Sequence, residues 1–148
     1  MTRSLLATIP VILLATTVRA DEKRIALKDA PAAVQQAIAA HSQGGTLRGV
    51  STEISGGKRV YEAELVVGGR TKDVTFDAAG AVVSTEDEIP IDQVPAPVRA
   101  ALVKAAGAGT VKRVEAVTEH GATFYEAEIV TGGRTSEVTL DAAGRPLK

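Results

Sequence analysis

Residues Tyr61 to Gly80 read YEAELVVGGRTKDVTFDAAG, and residues Tyr125 to Gly144 read YEAEIVTGGRTSEVTLDAAG. The two stretches align without a gap at an offset of 64, and 15 of their 20 positions are identical. The same offset pairs Pro31 with Pro95, Val34 with Val98, Ile38 with Leu102 and Val50 with Val114 further upstream. A period of this size marks a supersecondary unit used more than once. The reading is a tandem repeat, with units expected over 25–88 and 89–148.

Within each unit the local signals are strong. Pro31 and Pro95 suit a first helical turn, where a missing N–H costs nothing. Val34, Ala37 and Ile38, and then Val98, Ala101 and Leu102, follow at helical spacing. Glycines at 44–45 and at 107 and 109 end these helices. Strands are predicted next over 46–55, 59–67 and 70–76, and again over 110–119, 123–131 and 134–140. Gly68-Gly69 and Gly132-Gly133 are two-residue hairpin turns, where positive φ is cheap for glycine. Asp77-Ala-Ala-Gly80 and Asp141-Ala-Ala-Gly144 are type I turns with Asp first and Gly last. A fourth strand is predicted from Ala81 to Thr85, with a short or frayed counterpart from Arg145. The charge run Glu86-Asp87-Glu88 before Pro90 reads as a solvated linker.

Alternation then assigns the faces. Tyr61, Ala63, Leu65 and Val67, with Val74 and Phe76, point towards the helix. Glu62, Glu64, Asp73 and Thr75 point away, as do Glu126, Glu128, Glu137 and Thr139 in the second unit. The expected fold class is α+β, each repeat being one helix packed on a four-stranded antiparallel sheet. Units of about sixty residues bury a marginal core. They are therefore expected to share an interface or to join edges.

The remaining composition sets the compartment. Met1 to Ala20 has Arg3, then a largely apolar run to Ala15, then Val18-Arg19-Ala20 before Asp21. This is the pattern of a secretory signal peptide over 1–20, with an apolar run too short to span a bilayer. A periplasmic or secreted chain follows, with no membrane insertion after cleavage. The whole chain has 17 Lys and Arg against 18 Asp and Glu, a formal charge of −1; without the first twenty residues it is −3. That balance argues against a nucleic-acid partner. The chain has no Cys and 3% aromatic residues, so thiol chemistry, disulfides and zinc–thiolate sites are excluded.

Pro31, Tyr61-Glu62, Gly68-Gly69 and Asp77-Ala-Ala-Gly80, with Pro95, Tyr125-Glu126, Gly132-Gly133 and Asp141-Ala-Ala-Gly144, form a pattern that resembles the PepSY family. More narrowly it resembles the PepSY-like, β-lactamase-inhibitor-like exported proteins. The resemblance covers nearly all of 25–148. It implies a helix-on-sheet unit, often in tandem, in a bacterial envelope or secreted setting, and an association with binding or restraining peptidases. The β-lactamase inhibitor protein has a similar tandem layout, but its binding face is rich in aromatics and its units are closed by disulfides. Neither feature is present here, so inhibition of a β-lactamase is not carried over.

Candidate chemistry is sparse. Glu62 and Glu64, and Glu126 and Glu128, lie two apart on a strand and so share a face, joined there by Asp73 and Glu137. Glutamate is a common filler of a solvated sheet face; the functional alternative is an acidic stripe for a basic loop or peptide. Arg70 and Arg134 follow the glycine turns and are expected to pair across the hairpins. His41 and His120 occupy unmatched positions and read as solvated surface histidines. No catalytic triad, metal-ligand spacing, phosphate loop or cofactor motif is present. The chain is expected to be a non-catalytic exported binding module without a cofactor, its partner a protein or peptide such as a peptidase. The alternative is a periplasmic small-ligand or metal-ion sensor using a cleft between the two units.

Overall fold

The structure, a computed structural model, describes residues 22–42 and 44–147. The signal peptide expected over 1–20 lies outside the described residues. Eight strands form one antiparallel sheet whose spatial order is its chain order: β1 (Lys23–Ile25), β2 (Gly45–Ser55), β3 (Lys58–Val67), β4 (Arg70–Asp77), β5 (Val82–Glu88), β6 (Thr110–Glu119), β7 (Ala122–Thr131) and β8 (Arg134–Asp141). Helix α1 (Ala32–His41) lies in the β1–β2 connection after a single 3-10 turn, and α2 (Ala96–Ala106) lies between β5 and β6.

This overturns the expected fold class of two repeats, each a helix on its own four-stranded sheet. The chain forms one sheet carrying two helices. The cause is the segment read as a linker. Strand β5 runs to Glu88, pairing with β4 from Phe76–Val82 to Lys72–Asp87 and with β6 from Ser84–Glu119 to Glu88–Glu115. Every exposed strand edge is a row of unmade backbone hydrogen bonds. One strand completing two edges at once removes both rows. The run of three acids does not block this, because its neighbours supply donors: Lys72 Nζ donates to Asp87 Oδ1 at 2.6 Å, and the Thr71 amide and hydroxyl donate to Glu88 Oε2 at 3.0 and 2.9 Å. Strand β1 was not anticipated. The expected last strand after Gly144 is reduced to one bridge between Leu140 and Pro146.

The predicted faces hold. Tyr61, Ala63, Leu65, Val74 and Phe76 pack with Val34 and Ile38 of α1 in one buried cluster. Val98 and Leu102 of α2 pack with Val94, Val114, Ala127 and Leu140 in a second. Phe76, Val74 and Val34 have no accessible surface. Burying such side chains contributes about 1.5–3 kcal/mol each. The register repeats with the sequence offset: Tyr61 faces Phe76 as Tyr125 faces Leu140, and both β2 and β6 shift register, at Leu47/Gly49 and Val111/Arg113.

The Asp-Ala-Ala-Gly turns form as predicted. Asp77 Oδ1 accepts the amides of Ala79 and Ala81, each at 2.9 Å, and Asp141 Oδ1 does the same for Ala143 and Arg145. Gly80 and Gly144 are needed twice over. Each has a positive φ, 81° and 77°, and each lies against a helix backbone, where a Cβ would come 2.7 Å from the Ala33 carbonyl oxygen or 2.5 Å from that of Pro97. These turns therefore dock the start of each helix onto the sheet.

Candidate binding face

The helices cover one face of the sheet; the other carries the carboxylates. Strand pairing places Glu64 directly opposite Asp73, and Glu128 opposite Glu137. Glu62 lies between Ser51 and Thr75, and Glu126 between Glu115 and Thr139. All six site residues expected from the sequence thus share this face. They do not form two separate stripes. Asp73 faces Glu86 on β5, Glu86 faces Val117 on β6, and Glu88 faces Glu115. Because β5 is a strand and not a linker, its acids bridge the two groups into one field.

Glu86, Glu88 and Glu115 were missed in the sequence. Their signal was alternation: Ser84, Glu86 and Glu88 share a face once the strand is extended past Thr85, and Glu115 sits next to the apolar Val114 of the helix face.

The centre of this field is only partly wet. Glu115 retains 9% of its exposure, while Ser51, Glu53 and Thr75 are also buried on the helix-free side. Burial, with Glu86 and Glu64 adding repulsion against relief from Arg113, pushes Asp73 up to about 6. Burial also pushes Glu115 up to about 7; Arg113 opposes that rise, while Glu86, Asp73 and Glu126 add to it. Glu88 moves the other way, held below its usual range first by the Thr71 amide. Desolvation penalises charge and like charges deepen the penalty. Two carboxyl groups on neighbouring sides of β5 therefore titrate near neutrality.

Arg24 and Arg113 bring guanidinium groups to this field, placed differently. In the first half, Arg24 of β1 reaches across β2 and donates to both oxygens of Glu64 at 2.6 Å. It passes over Gly49, where a Cβ would collide with the guanidinium. In the second half, the position matching Gly49 is Arg113 itself, opposite Glu128 and 3.5 Å from Glu115 Oε1. The position matching Arg24 is Glu88. The first half thus pairs its β3 glutamate with an Arg from an outer strand, whereas the second half pairs an Arg with a glutamate of the same strand, β6.

Other candidates resolve simply. Arg70 sits exposed at the start of β4, where its charge lowers the pKa of Glu88. His41 is not merely solvated: its ring meets Phe76 edge-on at a centroid distance of 5.4 Å. His120 occupies the β6–β7 turn with φ 50°. The cleft expected between two units is replaced by the continuous sheet. Beside the β5–β6 pairing lies an open cavity of about 330 Å³, lined by Val82, Val83, Thr85, Thr118, His120 and Gly121. Among the described residues no group of three or more His, Asp or Glu is arranged to hold a metal ion. No described helix is long and apolar enough to cross a membrane.

Comparison with known protein families and with curated proteins returns no match. Solved structures do match. One is a Bacteroides eggerthii protein described as periplasmic, with 21% identity over 80% of this chain and 86% of that chain, at a TM-score of 0.65. Another is a DUF2874 family protein from Bacteroides ovatus, with 22% identity, 80% and 85% coverage and a TM-score of 0.60. A third is a BLIP-like protein from Bacteroides fragilis, with 23% identity, 80% and 84% coverage and a TM-score of 0.58. At these identities the likeness is one of fold. It supports the β-lactamase-inhibitor-like layout and gives no support to the PepSY assignment. The periplasmic description of the first neighbour agrees with the exported setting expected here.

Proposed function

We propose that this chain is a non-catalytic exported module that binds a basic protein or peptide segment through the helix-free face of its sheet. The observation that carries the reading is the convergence of Asp73, Glu86 and Glu115 on three adjacent strands, flanked by Glu62, Glu64, Glu126, Glu128 and Glu137. Carboxyl groups held near neutrality by burial and mutual repulsion gain from a partner cation, which restores the charged form and relieves the repulsion. A Lys- or Arg-bearing loop of an envelope peptidase or other hydrolase is a partner of suitable chemistry. The BLIP-like neighbour of the same fold is consistent with protein binding.

The test is affinity capture from a periplasmic extract with the wild-type chain and with a Glu62/Glu64/Glu126/Glu128→Gln variant. The expected result is a specific protein retained by the wild type, released by salt and lost in the variant. Equal retention by both chains, or retention by neither, overturns the reading.

A further inference from the structure

We propose that the outer edge of β8 accepts β1 of a second copy of this chain, so that the sheet continues head to tail from one molecule into the next. The template is the junction already inside the molecule. There β5 covers the edge of β4, with Lys72 opposite Asp87 and Asp73 opposite Glu86. At the offset of 64, β8 is the counterpart of β4, and β1 is the counterpart of the end of β5. The pairing itself confirms the correspondence: Lys23–Thr52 and Arg24–Ser51 between β1 and β2 are Asp87–Ala116 and Glu88–Glu115 between β5 and β6, each shifted by 64.

The two edges left over match this junction in register. Among the described residues, β8 is covered only near its end, by the Leu140–Pro146 bridge and the Leu147 amide on the Thr139 carbonyl at 2.9 Å. That bond and the Asp141 amide on the Arg145 carbonyl aim the backbone groups of the odd-numbered residues outward. Thr135 and Glu137 therefore offer amide and carbonyl groups to an incoming strand. Among the described residues the neighbour of β1 is β2 alone. Continuing the template sets Lys23 opposite Ser136 and Arg24 opposite Thr135.

The same register sets Glu22 opposite Glu137, as Glu86 lies opposite Asp73, so register and not charge specifies the contact. β8 presents Glu137 directly opposite Glu128. The incoming β1 carries Lys23 and Arg24; Arg24 lies diagonal to Glu137 on the same sheet face but is held by Glu64 of its own molecule. Each molecule has one edge of each kind, so the contact is heterologous and open-ended. It is only a few residues long, so it requires high concentration.

The chain contains no Cys, which makes thiol trapping clean. Strands β1 and β8 lie at opposite edges of the sheet, about 34 Å apart along it at the usual strand spacing. A disulfide between positions 23 and 136 therefore reports two copies. Lys23→Cys and Ser136→Cys proteins are mixed under oxidising conditions. Their heterodimer is expected to form several-fold faster than either homodimer, and several-fold faster than when Arg134→Cys replaces Ser136→Cys. Ser136→Asp places a carboxylate opposite Lys23, as Asp87 lies opposite Lys72, and is expected to raise the mass seen by sedimentation at a given concentration. Thr135→Pro removes an outward amide and is expected to lower that mass while leaving the circular dichroism spectrum unchanged. Trapping that ignores register, a mass insensitive to both variants, or capture of a different envelope protein by the thiol at position 136 overturns the proposal.

Discussion

Glu115 offers the sharpest quantitative test of the binding face. Its carboxyl is pushed up to about 7 from an ordinary 4.5, first by burial and then by the acids around it. A carboxylate whose pKa is raised on folding stabilises the fold in its protonated form. That contribution is complete below the unfolded value and is lost as pH rises through the folded one. The window therefore runs from about pH 4.5 to about pH 7. The rise from 4.5 to about 7, at about 1.4 kcal/mol per pH unit, sets an upper figure of about 3.5 kcal/mol. Solvent on one side of the group screens part of this, leaving about 2 kcal/mol. Glu115→Gln keeps the shape of the protonated acid and cannot ionise. It is expected to match the wild type within about 1 kcal/mol at pH 5 and to exceed it by about 2 kcal/mol at pH 8. Urea unfolding followed by far-ultraviolet circular dichroism at both pH values measures this, since the chain has no Trp. A stability difference that is the same at both pH values refutes the reasoning, as does a variant weaker than wild type at pH 8.

Two further outcomes test the fold. Gly80→Ala is expected to cost about 2 kcal/mol, and Gly69→Ala about 1 kcal/mol, in thermal or urea melts. Both positions have positive φ, but only Gly80 lies against a helix backbone, 2.7 Å from the Ala33 oxygen, so equal costs would contradict that contact. Phe76→Ala, at a fully buried position, is expected to cost about 3–5 kcal/mol while the chain still unfolds in one transition. Separate transitions for the two halves, detected by amide exchange, would contradict the continuity provided by β5.

Much of this was legible because it is local. The paired glycines at 68–69 and 132–133 specify hairpin turns by their φ, and the Asp-Ala-Ala-Gly turns specify theirs by side-chain acceptance. Alternation assigned Leu65, Val74 and Phe76 to the core and Glu62, Glu64 and Asp73 to the opposite face. The acids of 86–88 were misread for an equally local reason. Three consecutive charges look solvated until the partners that satisfy them are known, and Lys72 and Thr71 come from another strand. Arg24 was invisible as a site residue because its role depends on the gap at Gly49 and on Glu64, forty positions away.

The sequence alone determined the repeated pattern, the turns, the strand faces and the absence of thiol chemistry, since each rests on residue types at fixed short spacing. Only the tertiary structure decided that the two halves share one sheet and that their acids form one field with two carboxyl groups poised near neutrality. Those properties depend on which edges meet and how much water they exclude, and strand pairing between distant segments settles both.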